Sequence, residues 1–444
     1  MRARTGIIVG LLWAGCAGSR VEPAVDAGDR PPHDAPTVDD TPRMDVVPVA
    51  PRDAAVDAVT ADAPGVDAVT ADAPGVDAVT ADAPAVDAVT ADAPAVEVGA
   101  PTVLRVRHGL GMRALSLRGD APGLLTWTRG VALRRVSDEV SEWSSDAVRA
   151  PFAWKPLGDD MTWSLGPNFT ARPGETTEVW ARFGRENGVA RRWRGDLRSA
   201  ALGNVRGVWV YLPPSYDEHP TRRYPVVYMH DGQNLFEPGA SFGGQAWEAD
   251  DAMNLGASDG TVREAIVVGV ENTSARIDEY TPSADPEVMR GGRAAQYLTL
   301  LVDELMPEVN RSFRTLTGPA HTALVGSSLG GLVSLWIGLR RADVFGAVGA
   351  MSPSTWWDGR MILREVPAAR GARMLRVWVD SGDSGPSRDG VDDTRMLADA
   401  LRAAGYRDGE SLRYTVQPGA AHNEAAWRSR LPNALRFLLG PRSF

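Results

Sequence analysis

Between His321 and Arg341 the chain reads HTALVGSSLGGLVSLWIGLRR. An apolar run ending at Val325 passes straight into Gly326-Ser327-Ser328-Leu329-Gly330, and a strongly apolar, helix-forming stretch follows at once. A strand that becomes a helix within so few residues needs a tight corner. Glycines on either side let the chain turn and let the helix close onto the strand. Such a corner lifts Ser328 clear of the strand and sets it at a helix N-terminus, where unpaired N–H groups and the helix dipole favour negative charge. A G-x-S-x-G pentapeptide alone is weak evidence; its strand–turn–helix setting is what constrains the fold.

The same alternation extends across residues 196–444. Apolar runs at 208–213, 225–232, 265–270, 321–326, 346–351, 375–380 and 412–417 are interleaved with helical stretches at 294–310, 330–341, 394–404 and 424–439. Near-continuous apolar strands, each followed by a helix, indicate an α/β domain with a mostly parallel sheet covered on both faces.

A serine nucleophile needs a base, and elbow-borne serines have their partners in the order serine, acid, histidine. Of the six histidines only His422 follows Ser328, in PGAAHNEAAW between a strand and the last helix. The acid belongs on the loop after the strand ending near Val379, which reads DSGDSGPSRDGVDD. It offers Asp380, Asp383, Asp389, Asp392 and Asp393; Asp383 is the expected partner, with Asp389 next. Its task is to hold the His422 tautomer and stabilise the imidazolium. The oxyanion of an acyl-transfer intermediate needs two donors. The N–H of Leu329 is one, and the N–H of Gln233, in the loop HDGQNLF after the strand PVVYM, is the other. Trp247, Trp356 and Arg276 are candidate substrate contacts on loops that follow strand ends, with Trp357, Glu279 and Tyr280 nearby; for Trp356 and Trp357 helix packing is an equal alternative. The acidic loop lacks EF-hand spacing and the chain has one cysteine, so no metal and no cofactor is expected.

YMHDGQNLF, VVGVENTSARIDEYTP, YLTLLVDELMPEVNRSFRTL…HTALVGSSLGG, AMSPSTWW and GAAHNEAAW occur in one order over nearly all of residues 200–440. This series resembles a family of α/β-hydrolase esterases that includes enterochelin esterases, feruloyl and acetylxylan esterases, esterase D and the mycolyltransferases. The resemblance implies Ser328 as nucleophile, His422 as base, and Gln233 and Leu329 as oxyanion donors. It carries the acid over poorly, because the family's loop is shorter, so a dyad stays open. It implies a serine esterase acting on a carboxylic ester, either a carbohydrate ester bearing acetyl or feruloyl groups or a siderophore. An inert, surface-displayed binding protein is the alternative of another class.

Upstream the chain changes character. MRARTGIIVGLLWAGC has two arginines, a short apolar run and small residues before Cys16. It reads as a secretory signal at residues 1–16 whose cysteine is lipidated, giving an envelope protein, an outer-membrane lipoprotein or secreted, held to the membrane through that anchor. Residues 17–100 are Ala, Asp, Pro, Val and Thr, with VDAVTADAPG recurring from Val56. With no aromatic residues and two Asp per repeat, this segment cannot offset its ordering entropy and reads as a disordered spacer. Residues 20–100 hold 17 acids against 4 arginines, whereas 101–444 hold 41 basic and 40 acidic residues. The acidity thus belongs to the spacer, and no basic face suggests a nucleic-acid partner. Short alternating strands over 101–185 read as an all-β sandwich resembling starch- and glycogen-binding modules. Trp127, Trp154, Trp163 and Trp180 are assigned to its core rather than to sugar stacking.

Overall fold

The computed structural model describes residues 100–109, 111, 114–368 and 375–440. The expected signal segment, the lipidation of Cys16 and the spacer lie outside the described residues.

The apolar runs of the C-terminal part form one eight-stranded sheet. Its strands are β1 (Val189–Ser199), β2 (Asn204–Leu212), β3 (Val226–His230), β4 (Ile266–Val270), β5 (Thr322–Ser327), β6 (Ala347–Met351), β7 (Arg376–Gly382) and β8 (Leu412–Gln417). They lie in the order β1-β2-β4-β3-β5-β6-β7-β8, antiparallel at the first two pairings and parallel thereafter. Strands β3 to β6 are buried at every position, as continuous apolar runs covered on both faces must be.

Apart from single turns at Arg276–Glu279 and Trp357–Arg360, the helices are α1 (Ala249–Ser258), α2 (Ala294–Thr299, continued through a π-helical turn at Leu300–Leu305 into Met306–Ser312), α3 (Leu329–Arg340), α4 (Ile362–Ala368), α5 (Val391–Ala403) and α6 (Glu424–Leu439). One core cluster joins α2, α3, α4 and α5 to the sheet; the other joins α1 and α6 to its opposite face. Two helices, α1 and α4, were not expected from the sequence.

Strand β1 is not among the apolar runs read from the sequence. VARRWRGDLRS carries four arginines and alternates irregularly because it is the sheet's edge, with register shifts at Arg192/Arg194 and Arg194/Leu197. Charge and bulges of this kind keep an edge strand from pairing with other chains.

Residues 102–180 form two small sheets. One runs Arg134–Arg135, Val140–Ser145, Thr102–Arg107, Thr176–Trp180; the other is built on Leu115–Gly119 and Phe152–Gly158. Leu104, Val106 and Val179 from the first meet Leu117, Phe152 and Trp154 from the second in a separate core. Trp154 is fully enclosed there, whereas Trp163 is 40% exposed, with the Trp127 ring 6.1 Å away.

This β unit meets the large sheet's domain through the segment before β3 and the segment before β4. Glu218 accepts the N–H groups of Phe183 (2.9 Å) and Gly184 (3.0 Å), His219 Nε2 pairs with Ala181 O (2.9 Å), and Arg182 faces Glu264 (3.8 Å). Glu218 and His219 precede β3 and Glu264 precedes β4, so the contact lies at the amino ends of the parallel strands. The carboxyl ends, where Ser328 sits, face the other way.

Candidate active site

Strand β5 ends at Ser327 and α3 starts at Leu329, so Ser328 alone makes the corner, with φ 56° and ψ −124°. A non-glycine residue at positive φ is strained and persists only where its surroundings hold it. Here Ser328 N–H donates to Met351 O (3.0 Å), and Ser328 O accepts from Leu332 N (3.1 Å) and Ser354 N (3.0 Å). A Cβ on Gly326 would lie 2.6 Å from the Gly330 backbone and 2.7 Å from His230 Cδ2, so only glycine lets the helix start this close. Leu329 is the first helical residue, and its N–H is among the orphan donors of a helix start.

The base and acid come from the loops after β8 and β7. His422 Nδ1 lies 2.5 Å from Asp389 Oδ1, and the His422 ring stands edge-on to Trp427 at 5.0 Å. The Asp389 side chain is fully enclosed, while His422 keeps 37% exposure. The structure therefore corrects the expected acid: Asp383 turns away, its Oδ1 accepting the N–H of Gly419 at 2.6 Å. The cause is the loop's path. Gly385, Arg388, Asp389 and Gly390 all take positive φ, and these turns fold Asp389 back under the end of β7. Burial raises the Asp389 carboxyl, but hydrogen bonds from His422, Gly382 N–H and Ser352 outweigh it and hold the group below its usual value.

Ser352 ties the two halves together. Held at φ 38°, it follows the Met351 carbonyl that takes Ser328 N–H. Its hydroxyl donates to Asp389 Oδ2 (2.7 Å) and accepts from Trp427 Nε1 (3.0 Å) and Arg430 Nη2 (2.7 Å). Arg430 Nη2 is also 3.6 Å from Asp389 Oδ2, and its Nε is 3.0 Å from Asp380 Oδ1, a charge contact without hydrogen-bond alignment. Asp380 is wholly buried, which raises its carboxyl above the usual value. In this arrangement Ser328 Oγ bonds to Ser354 Oγ (3.3 Å) and forms no hydrogen bond to His422. Serine–base hydrogen bonds are commonly unmade without substrate.

The HDGQN loop is held from behind. Asp231, at φ 56°, takes a bidentate pair from Arg276 (2.8 and 2.9 Å) and Asn272 Nδ2 (2.6 Å). Burial raises the Asp231 carboxyl; Arg276 overrides this and keeps it below its ordinary value. His230 is enclosed against Tyr280 and Tyr297, with Nδ1 2.9 Å from the Tyr297 hydroxyl, and burial pushes it down to about 3, so it stays neutral. Gln233 occupies a single 3₁₀ turn, Gly232–Asn234, and its side-chain Oε1 accepts Asn272 N–H (3.2 Å). Gly232 packs flat on β4: a Cβ there would sit 2.5 Å from Gly269 C.

One expected substrate contact, Trp247, is corrected by its burial: it is 1% exposed, packed against Trp427 at 5.8 Å. Arg276 keeps 28% side-chain exposure beside its partner Asp231. Trp356 is 49% exposed, on the loop two residues beyond Ser354. Ser352, Ser354, Trp427 and Arg430 were not anticipated. The sequence signal for the serines is the Ser-Pro-Ser that directly follows β6; for Arg430 it is an arginine on the apolar face of α6, between Trp427 and Leu431. No cluster of metal-ligating side chains occurs among the described residues.

Comparison with known proteins gives the arrangement its relatives. The chain is 25% identical over 258 residues to uncharacterized protein YbbA of Bacillus subtilis, covering 56% of this chain and 97% of that one. It is 28% identical to an endo-1,4-beta-xylanase/feruloyl esterase of Xylanibacter ruminicola, over 52% of this chain and 29% of the relative. An iron(III) enterobactin esterase of Dickeya dadantii is 25% identical, with 64% of each chain covered. Among solved structures, the enterobactin esterase FES from Shigella flexneri matches 76% of this chain and 92% of its own at 17% identity and a TM-score of 0.44. Residues 199–438, more than half of the chain, match the family described as "Putative esterase". The chain belongs to that esterase family.

Proposed function

We propose that the protein is a serine carboxylic ester hydrolase working through an acyl-enzyme. The observation that carries this reading is the Asp389–His422 pair, linked through Ser352 to the strained corner bearing Ser328. Ser328 swings its hydroxyl from Ser354 to His422, and His422 Nε2 takes the proton as Oγ attacks the ester carbonyl. The N–H groups of Leu329 and Gln233 receive the oxyanion, each worth about 3 kcal/mol in such sites. His422 then protonates the leaving alcohol, the C–O bond breaks, and the acyl group stays on Ser328. Water, deprotonated by His422, attacks the acyl carbonyl and releases the acid. Asp389 keeps the Nδ1 proton in place throughout.

For substrate we propose an ester with an aromatic acyl group. Two relatives are named a feruloyl esterase and an enterobactin esterase, and the exposed Trp356 offers a ring face on a loop beside the elbow. We further propose, from the N-terminal sequence, that the enzyme is displayed at the cell envelope on a flexible acidic tether. Hydrolysis of p-nitrophenyl acetate and methyl ferulate by wild type and Ser328→Ala tests the reading. Activity in wild type that vanishes in the variant is expected, and equal activity in both sinks it.

A further inference from the structure

On α6 the buried stripe includes Trp427, Arg430, Leu431, Ala434, Leu435 and Leu438. Helical periodicity calls for an apolar residue at 430, yet the chain places a cation there, 5% exposed. Strand β7 does the same with the opposite sign: Asp380 follows the enclosed run Val377-Trp378-Val379 and is itself wholly enclosed. With Asp389, this puts two buried carboxylates and one buried guanidinium behind His422. Replacing a buried ionic set by packed apolar side chains is often neutral or stabilising. The stability of the fold therefore does not by itself call for Asp380 and Arg430.

Their contacts point to the reaction instead. Arg430 Nη2 donates to Ser352 Oγ (2.7 Å) and lies 3.6 Å from Asp389 Oδ2, while Nη1 donates to Gln417 Oε1 at the end of β8 (3.2 Å). Arg430 thus holds the far oxygen of the carboxylate whose near oxygen meets His422 Nδ1. Alone, that clamp would work against the acid, because a cation beside Asp389 opposes a second cation forming on His422. Asp380 removes the conflict. Its Oδ1 faces Arg430 Nε at 3.0 Å and accepts Ser352 N–H (3.1 Å), and its Oδ2 accepts Trp378 Nε1–H (2.6 Å). Each of these hydrogen bonds is one that Asp380 accepts, the pattern of an ionised carboxylate. The enclosed set then carries a single net negative charge while His422 is neutral, and none once His422 holds the serine proton.

We propose that Asp380 and Arg430 are positioning residues for the reaction: Arg430 clamps Asp389 and Ser352, and Asp380 cancels the charge of the clamp, so that the charge of Asp389 still acts on the imidazolium. This inference rests on the reading of His422 as the general base. Other charged groups around the pair stay the same when these two are changed. Glu424, at the start of α6, lies within electrostatic reach of His422 and, across the mouth, of Asp231 and Arg276. On the acid's own loop Arg388 pairs with Asp392 (3.3 Å) and Asp383 accepts Gly419 N–H.

The pH profile of kcat/KM on p-nitrophenyl acetate tests the proposal, with folding of each protein checked by circular dichroism across the range. Asp380→Asn keeps the shape but leaves Arg430 uncompensated. The imidazolium is then favoured less, so the acidic limb should move down by about half a pH unit and kcat on the plateau should fall several-fold at little change in KM. Asp380→Asn/Arg430→Met removes both charges together and should return the limb to within about 0.2 units of wild type. Where Asp380→Asn does not fold, Arg430→Met takes its place with the opposite sign, an upward shift. A merely structural pair would lower activity and melting temperature without moving the limb. An unmoved limb in the single variant, or a double variant whose limb stays displaced, overturns the proposal while leaving the esterase reading intact. Wild-type hydrolysis that does not depend on Ser328 counts against the esterase reading and removes this inference with it.

Discussion

Replacing Asp389 by asparagine separates the two candidate acids more sharply than deletion would. Oδ2 of Asp389 is surrounded by donors: the Ser352 hydroxyl at 2.7 Å, Gly382 N–H, and Arg430 Nη2 at 3.6 Å. An asparagine in this enclosed position must turn its carbonyl oxygen toward them. Its NH₂ group then replaces Oδ1 and points at His422 Nδ1, now 2.5 Å from the carboxylate. The imidazole can satisfy that donor only by offering Nδ1 as acceptor, which leaves the proton on Nε2, where it cannot accept one from Ser328. A wrong tautomer in this type of site costs roughly 10³–10⁴ in rate. That is about 4–5.5 kcal/mol of transition-state stabilisation. Asp383→Asn should change kcat/KM by less than about two-fold, because Asp383 serves only the Gly419 N–H. Steady-state kinetics on p-nitrophenyl acetate decides it. A large loss in Asp383→Asn, or a loss under about ten-fold in Asp389→Asn, refutes the assignment.

Two further outcomes follow from the same geometry. His219, enclosed where the β unit meets the large sheet, is pushed down to about 4, chiefly by burial and secondly by Arg222. An unfolded histidine titrates near 6.5, so between roughly pH 6.5 and 4 the unfolded chain binds a proton that the folded chain refuses. Stability should therefore fall on acidification, by about 2 kcal/mol at pH 5 from this residue, and urea denaturation at pH 7 and pH 5 should show a smaller difference in His219→Gln. An unchanged difference would contradict the assignment; His230, lowered by burial in the same direction, retains its own share in both proteins. Trp356→Ala should raise KM for methyl ferulate several-fold, about 1 kcal/mol, while leaving p-nitrophenyl acetate little changed. Equal effects on both esters would remove Trp356 from the acyl pocket.

The parts of this site that the sequence reveals are those enforced by local sterics or by scarcity. Gly326 and Gly330 mark the corner because backbone elements approach there too closely for a Cβ on Gly326. His422 stands out because no other histidine follows Ser328. The acid was misassigned because which aspartate of the 380–393 loop returns to the histidine depends on a run of left-handed residues, and no apolar periodicity records that path. Trp247 has the composition of a pocket residue, yet the packing of α1 and α6 buries it, and Arg276 is tied to the Asp231 carboxylate, neither of which a sequence pattern records. Strand β1 escaped notice for the opposite reason: as an arginine-rich edge, it lacks the apolar run that marks its inner neighbours.

The account stands most directly on the identity of the nucleophile. Incubation with a fluorophosphonate, followed by digestion and mass spectrometry, should place one phosphonyl group on Ser328, none on Ser327, Ser352 or Ser354, with labelling slowed by orders of magnitude in His422→Ala. Label on another serine, or undiminished labelling of Ser328→Ala, would contradict it.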